Sequence, residues 1–392
     1  MLEPLTAARA HALLSPSARV LVASASRDGG ASQASLLPWC DVHWPTLVSL
    51  TAFERAEAQV FRLLRAAPVG AVPEHVLQSM QNIFRVSVFR AAELAEAAGR
   101  VADAFAAHGV EALWLKGAAL AMQSPDEFSL RSMGDLDVLV EAAETVRARA
   151  ALRAAGWKDG VGDGSYAEHH HDAPMLWRGG IRLELHHGLF PPGHPFMDDR
   201  ASTWLGRSVP LRWGDRVVRV LSAPWHLVHA STHWAWSHEG EVGSWQYLHD
   251  VQHIAGDWGP GDPRWAEAAG NARVLGAAVP LGWGLWTGTR LGAIQSPDAV
   301  LSGLRGPRRA MSGVAEREWV VRAFHSPVAS PSVTWSRYWW RYAMRGLGDE
   351  TRGWPWRAGR MVGSSAADPG VTAPAGAKVI RWRRHLARVL RG

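Results

Sequence analysis

Met133-Gly134-Asp135-Leu136-Asp137-Val138-Leu139-Val140 alternates acid with aliphatic and then runs fully apolar. The pattern predicts a buried strand over 136–140, entered from a polar end. Residues two apart on a strand project to the same side. Asp135 and Asp137 therefore share one face, while Leu136 and Val138 turn to the core. Two carboxylates this close raise each other's proton affinity, and a divalent cation between them removes that cost. Mg²⁺ prefers one or two carboxylates completed by phosphate oxygens. A lone D-x-D is also what a strand end with two solvated acids displays, so its neighbours decide between the two.

Upstream, residues 112–115 form a short apolar run that stops at Lys116-Gly117, which predicts a strand and then a short helix over 117–123. Backbone N–H groups at such a helix start bind phosphate. Downstream, a helix over 144–155 closes at Gly156, and a third strand spans 181–189. In Arg182-Leu183-Glu184-Leu185-His186 the two leucines face away from Glu184, which supplies a third carboxylate, and His186 shares its face. The expected unit is a small mixed α/β layer with helical text on both sides.

Three strings carry a family resemblance: Leu115-Lys116-Gly117-Ala118-Ala119, then Leu130-Arg131-Ser132-Met133-Gly134-Asp135-Leu136-Asp137, then Leu183-Glu184-Leu185-His186. Together they resemble the bacterial uncharacterised nucleotidyltransferase family of the polymerase-beta-like superfamily, over roughly residues 40–295. The resemblance implies an α+β (mixed α/β) fold with a small mixed sheet, flanked by N- and C-terminal helical regions. It implies a Mg²⁺- or Mn²⁺-dependent transfer of a nucleoside monophosphate from an NTP such as ATP to a hydroxyl or similar acceptor, with release of pyrophosphate. Asp135, Asp137 and Glu184 are then the catalytic, metal-holding residues of a two-metal centre. Lys116, Gly117, Ala118, Arg131 and Gly134 bind nucleotide phosphate. The superfamily usually places Gly or Ser where Ala118 stands, so without that hydroxyl the grip falls to backbone N–H groups and to Lys116 or Arg131. The acceptor is open: a small molecule, peptide, protein or RNA.

Histidines crowd the next segment, with His229 and His233 one helical turn apart and His249-Asp250 further on. Two readings compete with the transferase. One is a metal phosphohydrolase of the HD type built on His229, His233, His249 and Asp250, for which the spacing is short. The other is a non-catalytic nucleotide-binding module that keeps the fold, against which all three carboxylates argue. An intermediate reading has this helical face close over the site, with His186, His233 and Asp250 touching base or acceptor.

The 392 residues are too many for one ordinary core. The expected division is a flexible N-terminus 1–35, a helical region 36–109, the α/β core 110–222, a helical region 223–300 and a Trp/Arg-rich extension 301–392. Within the helical text, single helices are expected over 44–64 and 265–291. Hydrophobic residues at 47% and charged residues at 20% fit a globular protein. One cysteine, Cys40, precludes an internal disulfide and suits a reducing, cytoplasmic setting. No basic-then-apolar leader opens the chain, and the most apolar stretch, 274–289, is broken by Pro280 and four glycines, so no integral membrane segment is expected. The 22 tryptophans read first as core anchors. The net charge of +6 leans on the last third, where 359–377 reads as a linker and 378–391 as a basic amphipathic helix for an anionic partner.

Overall fold

The computed structural model describes residues 5–304, apart from 29, 125–126, 161–170, 172–173, 191–193, 197–199, 239 and 241–242, together with 316, 319–320 and 324. The chain opens with helices α1 (Ala7–Leu13), α2 (Pro16–Ala23), α3 (Trp44–Glu54), α4 (Glu57–Arg65) and the long α5 (Glu74–Ala107). An α/β segment follows: β1 (Leu113–Trp114), α6 (Lys116–Gln123), α7 (Glu127–Leu130), β2 (Asp135–Leu139), α8 (Thr145–Ala154), β3 (Lys158–Asp159), β4 (Met175–Trp177), β5 (Ile181–His186), α9 (Ala201–Gly206), β6 (Ser208–Trp213) and β7 (Arg216–Leu221). Helices α10 (Ala223–Thr232), α11 (Ser244–Ala255), α12 (Pro263–Leu275), α13 (Ala278–Arg290) and α14 (Asp298–Leu304) complete it. A π-helical turn, His233–Ser237, continues α10. None of the described helices is long and apolar enough to cross a membrane.

The seven strands form one mixed sheet in the order β3-β4-β5-β2-β1-β7-β6. β2 and β5 run parallel, with Asp137 opposite Glu184 and Leu139 opposite His186. β1 is antiparallel to β2 and parallel to β7. The alternation of side chains sorts two apolar cores onto the two faces of this sheet. Leu136, Val138, Leu183, Leu185, Val218 and Val220 join the buried half of α5 (Ala91 to Phe105) and α8. Leu113, Leu139 and Leu221 turn the other way, into a core shared by α2–α4 and α10–α13. The N- and C-terminal helical regions thus pack into one body against the sheet. α5 belongs to both cores, since Val76 and Met80 at its start lie in the helical one. Trp114, Trp204, Trp245, Trp258, Trp265 and Trp286 are fully buried, as expected of core anchors.

Several expectations need correction. Within 1–35, the described residues do not form a flexible lead. Thr6 and Ser15 cap α1 and α2 with their hydroxyls, Pro16 stands at the first helical position, and Ala18, Val20 and Leu21 are buried. Small residues pack closely there, where composition alone suggests a solvated chain. The expected 44–64 helix is two helices, broken where Arg55 adopts the left-handed region at φ 57°. The expected 265–291 helix breaks at Gly276, whose φ is 80°. The extension from 301 is not separate throughout: Leu301, Leu304, Trp319, Val320 and Phe324 are buried in the helical core. The 359–377 linker, the 378–391 tail and the late tryptophans at 335, 339, 340, 354 and 356 lie outside the described residues.

Candidate active site

β2 and β5 bring the acidic groups together. Asp137 and Glu184 sit opposite each other in parallel register, and His186 follows on the same face as Glu184. The Lys116 ammonium donates to Asp137 Oδ1 at 2.7 Å, and His186 Nε2 donates to the same oxygen at 2.9 Å. His186 Nε2 also lies 3.8 Å from Glu184 Oε2, while Arg182 reaches Glu184 Oε1 at 3.2 Å. Lys116 opens α6 with φ 49°, a left-handed backbone that costs a non-glycine residue about 1–2 kcal/mol. The fold sustains that strain at the residue whose ammonium neutralises Asp137, as functional sites often do.

These groups set each other's charge. Burial alone would lift the Asp137 carboxyl, but the Lys116 ammonium and the His186 hydrogen bond hold it far below the usual range. Burial, then the charge of Asp137, pushes both Asp135 and Glu184 up. Lys116 is lifted on balance, because Asp137, Glu184 and Asp135 outweigh its desolvation. Burial keeps His186 low and so neutral, against the pull of Asp137.

One ligand atom from each of Asp137, Glu184 and His186 lies within 4.8 Å of the others, and among the described residues this is the group able to hold a metal ion. The donors suit a divalent cation, since two carboxylates share the space and one is forced toward its protonated form. Of the expected metal trio, Asp137 and Glu184 belong to this group. Asp135 lines the same cavity one pleat away, outside it. His186, expected only to touch base or acceptor, is the third member.

The cavity holds about 540 Å³ between the sheet, the α10–α11 wall and the corner joining α3 to α4. Lys116, Gly117, Arg131 and Gly134 line it beside the carboxylates. The Ala118 side chain does not: it is buried in the sheet core, so only its backbone is left for phosphate. Arg131 is clamped by Asp250, with Nε and Nη2 donating to the two carboxylate oxygens at 2.6 and 2.9 Å. Asp250 thereby fixes Arg131 across 119 residues of sequence, a more constrained position than an open contact to an acceptor. Gly117 is what lets the guanidinium through, because a Cβ there would stand 2.0 Å from Arg131 Nη1 and 2.7 Å from Met133 Sδ.

The opposite wall carries His226, His229, His233 and His238. Burial depresses His226 to about 4 and His229 to about 3, and it holds His233 and His238 low as well. At neutral pH the wall is therefore uncharged and offers imidazole donors and acceptors. His233 and His238 pair through their Nε2 atoms at 3.0 Å, one donating to the other. The phosphohydrolase arrangement does not assemble. His249 stacks on Trp245 with its Nδ1 3.3 Å from the Ala25 carbonyl, and Asp250 is held by Arg131. His171 lines the cavity and bridges to His186, whereas His169 and His170 lie outside the described residues.

Sequence reasoning passed over Glu54 and Arg55, which line the cavity from the α3–α4 corner. No local signal marks them, because they reach the site only through tertiary packing.

The mixed sheet thus aligns its acidic side chains beside a lysine at a helix start. The model of a family described as uncharacterised nucleotidyltransferase matches residues 41–290, and the chain belongs to that family. Neither a curated protein nor a solved structure matches it.

Proposed function

We propose that the protein transfers a nucleotidyl group from a nucleoside triphosphate to a hydroxyl or similar acceptor, with Mg²⁺ or Mn²⁺ as cofactor. The observation that carries this reading is the Asp137–Glu184–His186 cluster, with Asp135 beside it and Lys116 at its edge. Asp135, Asp137, Glu184 and His186 would hold the cation, which when bound neutralises phosphate charge and acidifies an acceptor hydroxyl.

The chain's own groups account for the rest. First-turn N–H groups of α6 at Gly117 and Ala118 would meet incoming phosphate. Lys116 and Arg131 add positive charge where pyrophosphate departs. Arg131 is a preorganised donor, because Asp250 holds it before substrate arrives. Gly134 leaves room beside the first carboxylate. The acceptor oxygen attacks the α-phosphorus, the bond from that phosphorus to the bridging oxygen breaks, and pyrophosphate leaves. The acceptor's proton passes to a carboxylate oxygen of Glu184, whose affinity for it burial has raised. The neutral histidine wall, with His229 and His233, faces the acceptor and base.

The test is incubation of the full chain with each of the four ribonucleoside triphosphates, Mg²⁺ or Mn²⁺, and a panel of acceptors or a cell extract. Release of pyrophosphate is expected, and it should vanish in Asp137→Asn. Release that Asp137→Asn leaves intact would remove the site assignment.

A further inference from the structure

Arg55 is an odd residue for its position. It ends α3 in the left-handed region, at φ 57° and ψ 41°. Its N–H bonds to the Ala52 carbonyl, and the Ala56 N–H bonds to the Thr51 carbonyl. That closure normally takes glycine, which adopts the conformation freely. An arginine there bears a backbone penalty, so its side chain must offset it elsewhere if the residue is not neutral drift.

The side chain does not offset it within the protein. Among the described residues the Arg55 side chain makes no hydrogen bond and no ion pair within 4.0 Å. It is exposed, yet it lines the cavity and lies against Gly134, where a Cβ would stand 3.0 Å from Arg55 Nη1. Gly134 immediately precedes Asp135, so the guanidinium crosses the entry to the carboxylate strand. Its charge is felt by Asp135 on the site side and by Glu57 on its own side.

The corner that carries it is fixed from beneath. The preceding residue, Glu54, is buried and accepts the Trp245 N–H at 2.9 Å, capping the start of α11. The strained turn therefore cannot relax by swinging away without uncapping that helix. An exposed cation on a fixed corner, lining a cavity that also contains Lys116 and Arg131, suits an anion longer than one phosphate.

We propose that Arg55 is a phosphate-binding residue of this site, closing from the N-terminal helical region over the β- and γ-phosphates of a nucleoside triphosphate. The inference rests on the nucleotidyltransferase reading above and adds a specificity element to it: Arg55 separates triphosphate from monophosphate, outside the sheet motif that holds the cation. Its planar fork matches two phosphate oxygens at once.

The test is Arg55→Gly in the full chain, because glycine removes the side chain and relieves the backbone together. The probes are the α,β-methylene analogues of ATP, GTP, CTP and UTP and the four nucleoside monophosphates, titrated calorimetrically with Mn²⁺ present, and Mn²⁺ alone. For the triphosphate analogue that the wild type binds best, Kd is expected to rise about tenfold or more, while monophosphate Kd stays within about a factor of two. Affinity for Mn²⁺ alone should hold or improve, since a competing cation is gone, and the melting temperature should not fall. An unchanged triphosphate Kd, or an equal loss for monophosphate, would overturn the role of Arg55 and leave the transferase reading standing. Weaker Mn²⁺ binding or a lower melting temperature would assign Arg55 to structure instead. A wild-type chain that binds none of the analogues would remove both readings at once.

Discussion

Gly117→Ala is a one-carbon change whose cost follows from two distances. Gly117 lies in the first turn of α6, where alanine's helix propensity alone would favour the substitution by up to about 1 kcal/mol. The new Cβ would stand 2.0 Å from Arg131 Nη1 and 2.7 Å from Met133 Sδ. A free arginine would swing aside cheaply, but this one is held by two bonds to Asp250, at 2.6 and 2.9 Å. Both side chains are about nine-tenths buried, at 10% and 12% exposure. Retreat of the guanidinium leaves a buried carboxylate uncompensated, which costs about 3–5 kcal/mol. Set against the helix term, the net loss is about 2–4 kcal/mol. Urea denaturation of wild type, Gly117→Ala, Asp250→Asn and the double variant measures it. In the Asp250→Asn background the arginine is already loose, so the added cost of Gly117→Ala should fall by more than about 1 kcal/mol. A single variant costing less than about 1 kcal/mol, or strictly additive costs, would refute the claim that Gly117 exists to admit Arg131.

Asp135→Asn is expected to reduce pyrophosphate release to below about one-hundredth of wild type while the melting curve stays in place, since Asp135 makes no ion pair among the described residues. Turnover within a few-fold of wild type would exclude Asp135 from the site. Burial and the charge of Asp137 raise the proton affinity of Asp135 and Glu184, so protons compete with the cation. Mn²⁺ affinity, measured calorimetrically, should therefore keep growing with pH above the range in which ordinary carboxylates have already ionised and would give a flat response. Burial lifts the Glu54 carboxyl to about 7 from 4.5, so the folded state keeps a proton that the unfolded chain has lost. Its stabilising contribution is complete below about pH 4.5 and disappears as pH climbs to about 7, a fall on the order of 3 kcal/mol that Glu54→Gln should abolish. Parallel stability–pH curves for the two proteins would sink that assignment.

The sheet motif was legible because a strand writes its geometry into alternate residues. The acids at 135, 137 and 184 and the aliphatics between them fix which face is wet, and the structure keeps that sorting. β6 and β7 carry a local signal as well: Gly214-Asp215 at the turn between them is hairpin chemistry. The rest of the site has no local signature. Arg131 meets Asp250 across 119 residues and Glu54 meets the start of α11 across 191, and nothing in either neighbourhood announces the partner. The break at Arg55 was invisible for a related reason, because helix ends are read from glycine and this one lacks it. The flexible reading of the first 35 residues failed because burial of alanine, serine and valine depends on the partner surface more than on composition.

The bond between Glu54 and the start of α11 also bears on how the protein comes into being. A ribosome delivers Glu54 first, the acid strand later, and Trp245 and Asp250 later still. At about 5–20 residues per second, the segment from Asp137 to Asp250 takes roughly ten seconds to emerge. Throughout that interval the nascent chain carries its acids, Arg131 and the carboxylate of Glu54 with no wall to close on them. The catalytic chamber is thus a late product of synthesis, and a chain released before α11 would present an open, solvated β-layer with its N-terminal helices lacking their counterpart. Ribosome-stalled fragments ending before and after residue 255 would be the natural material in which to watch it close.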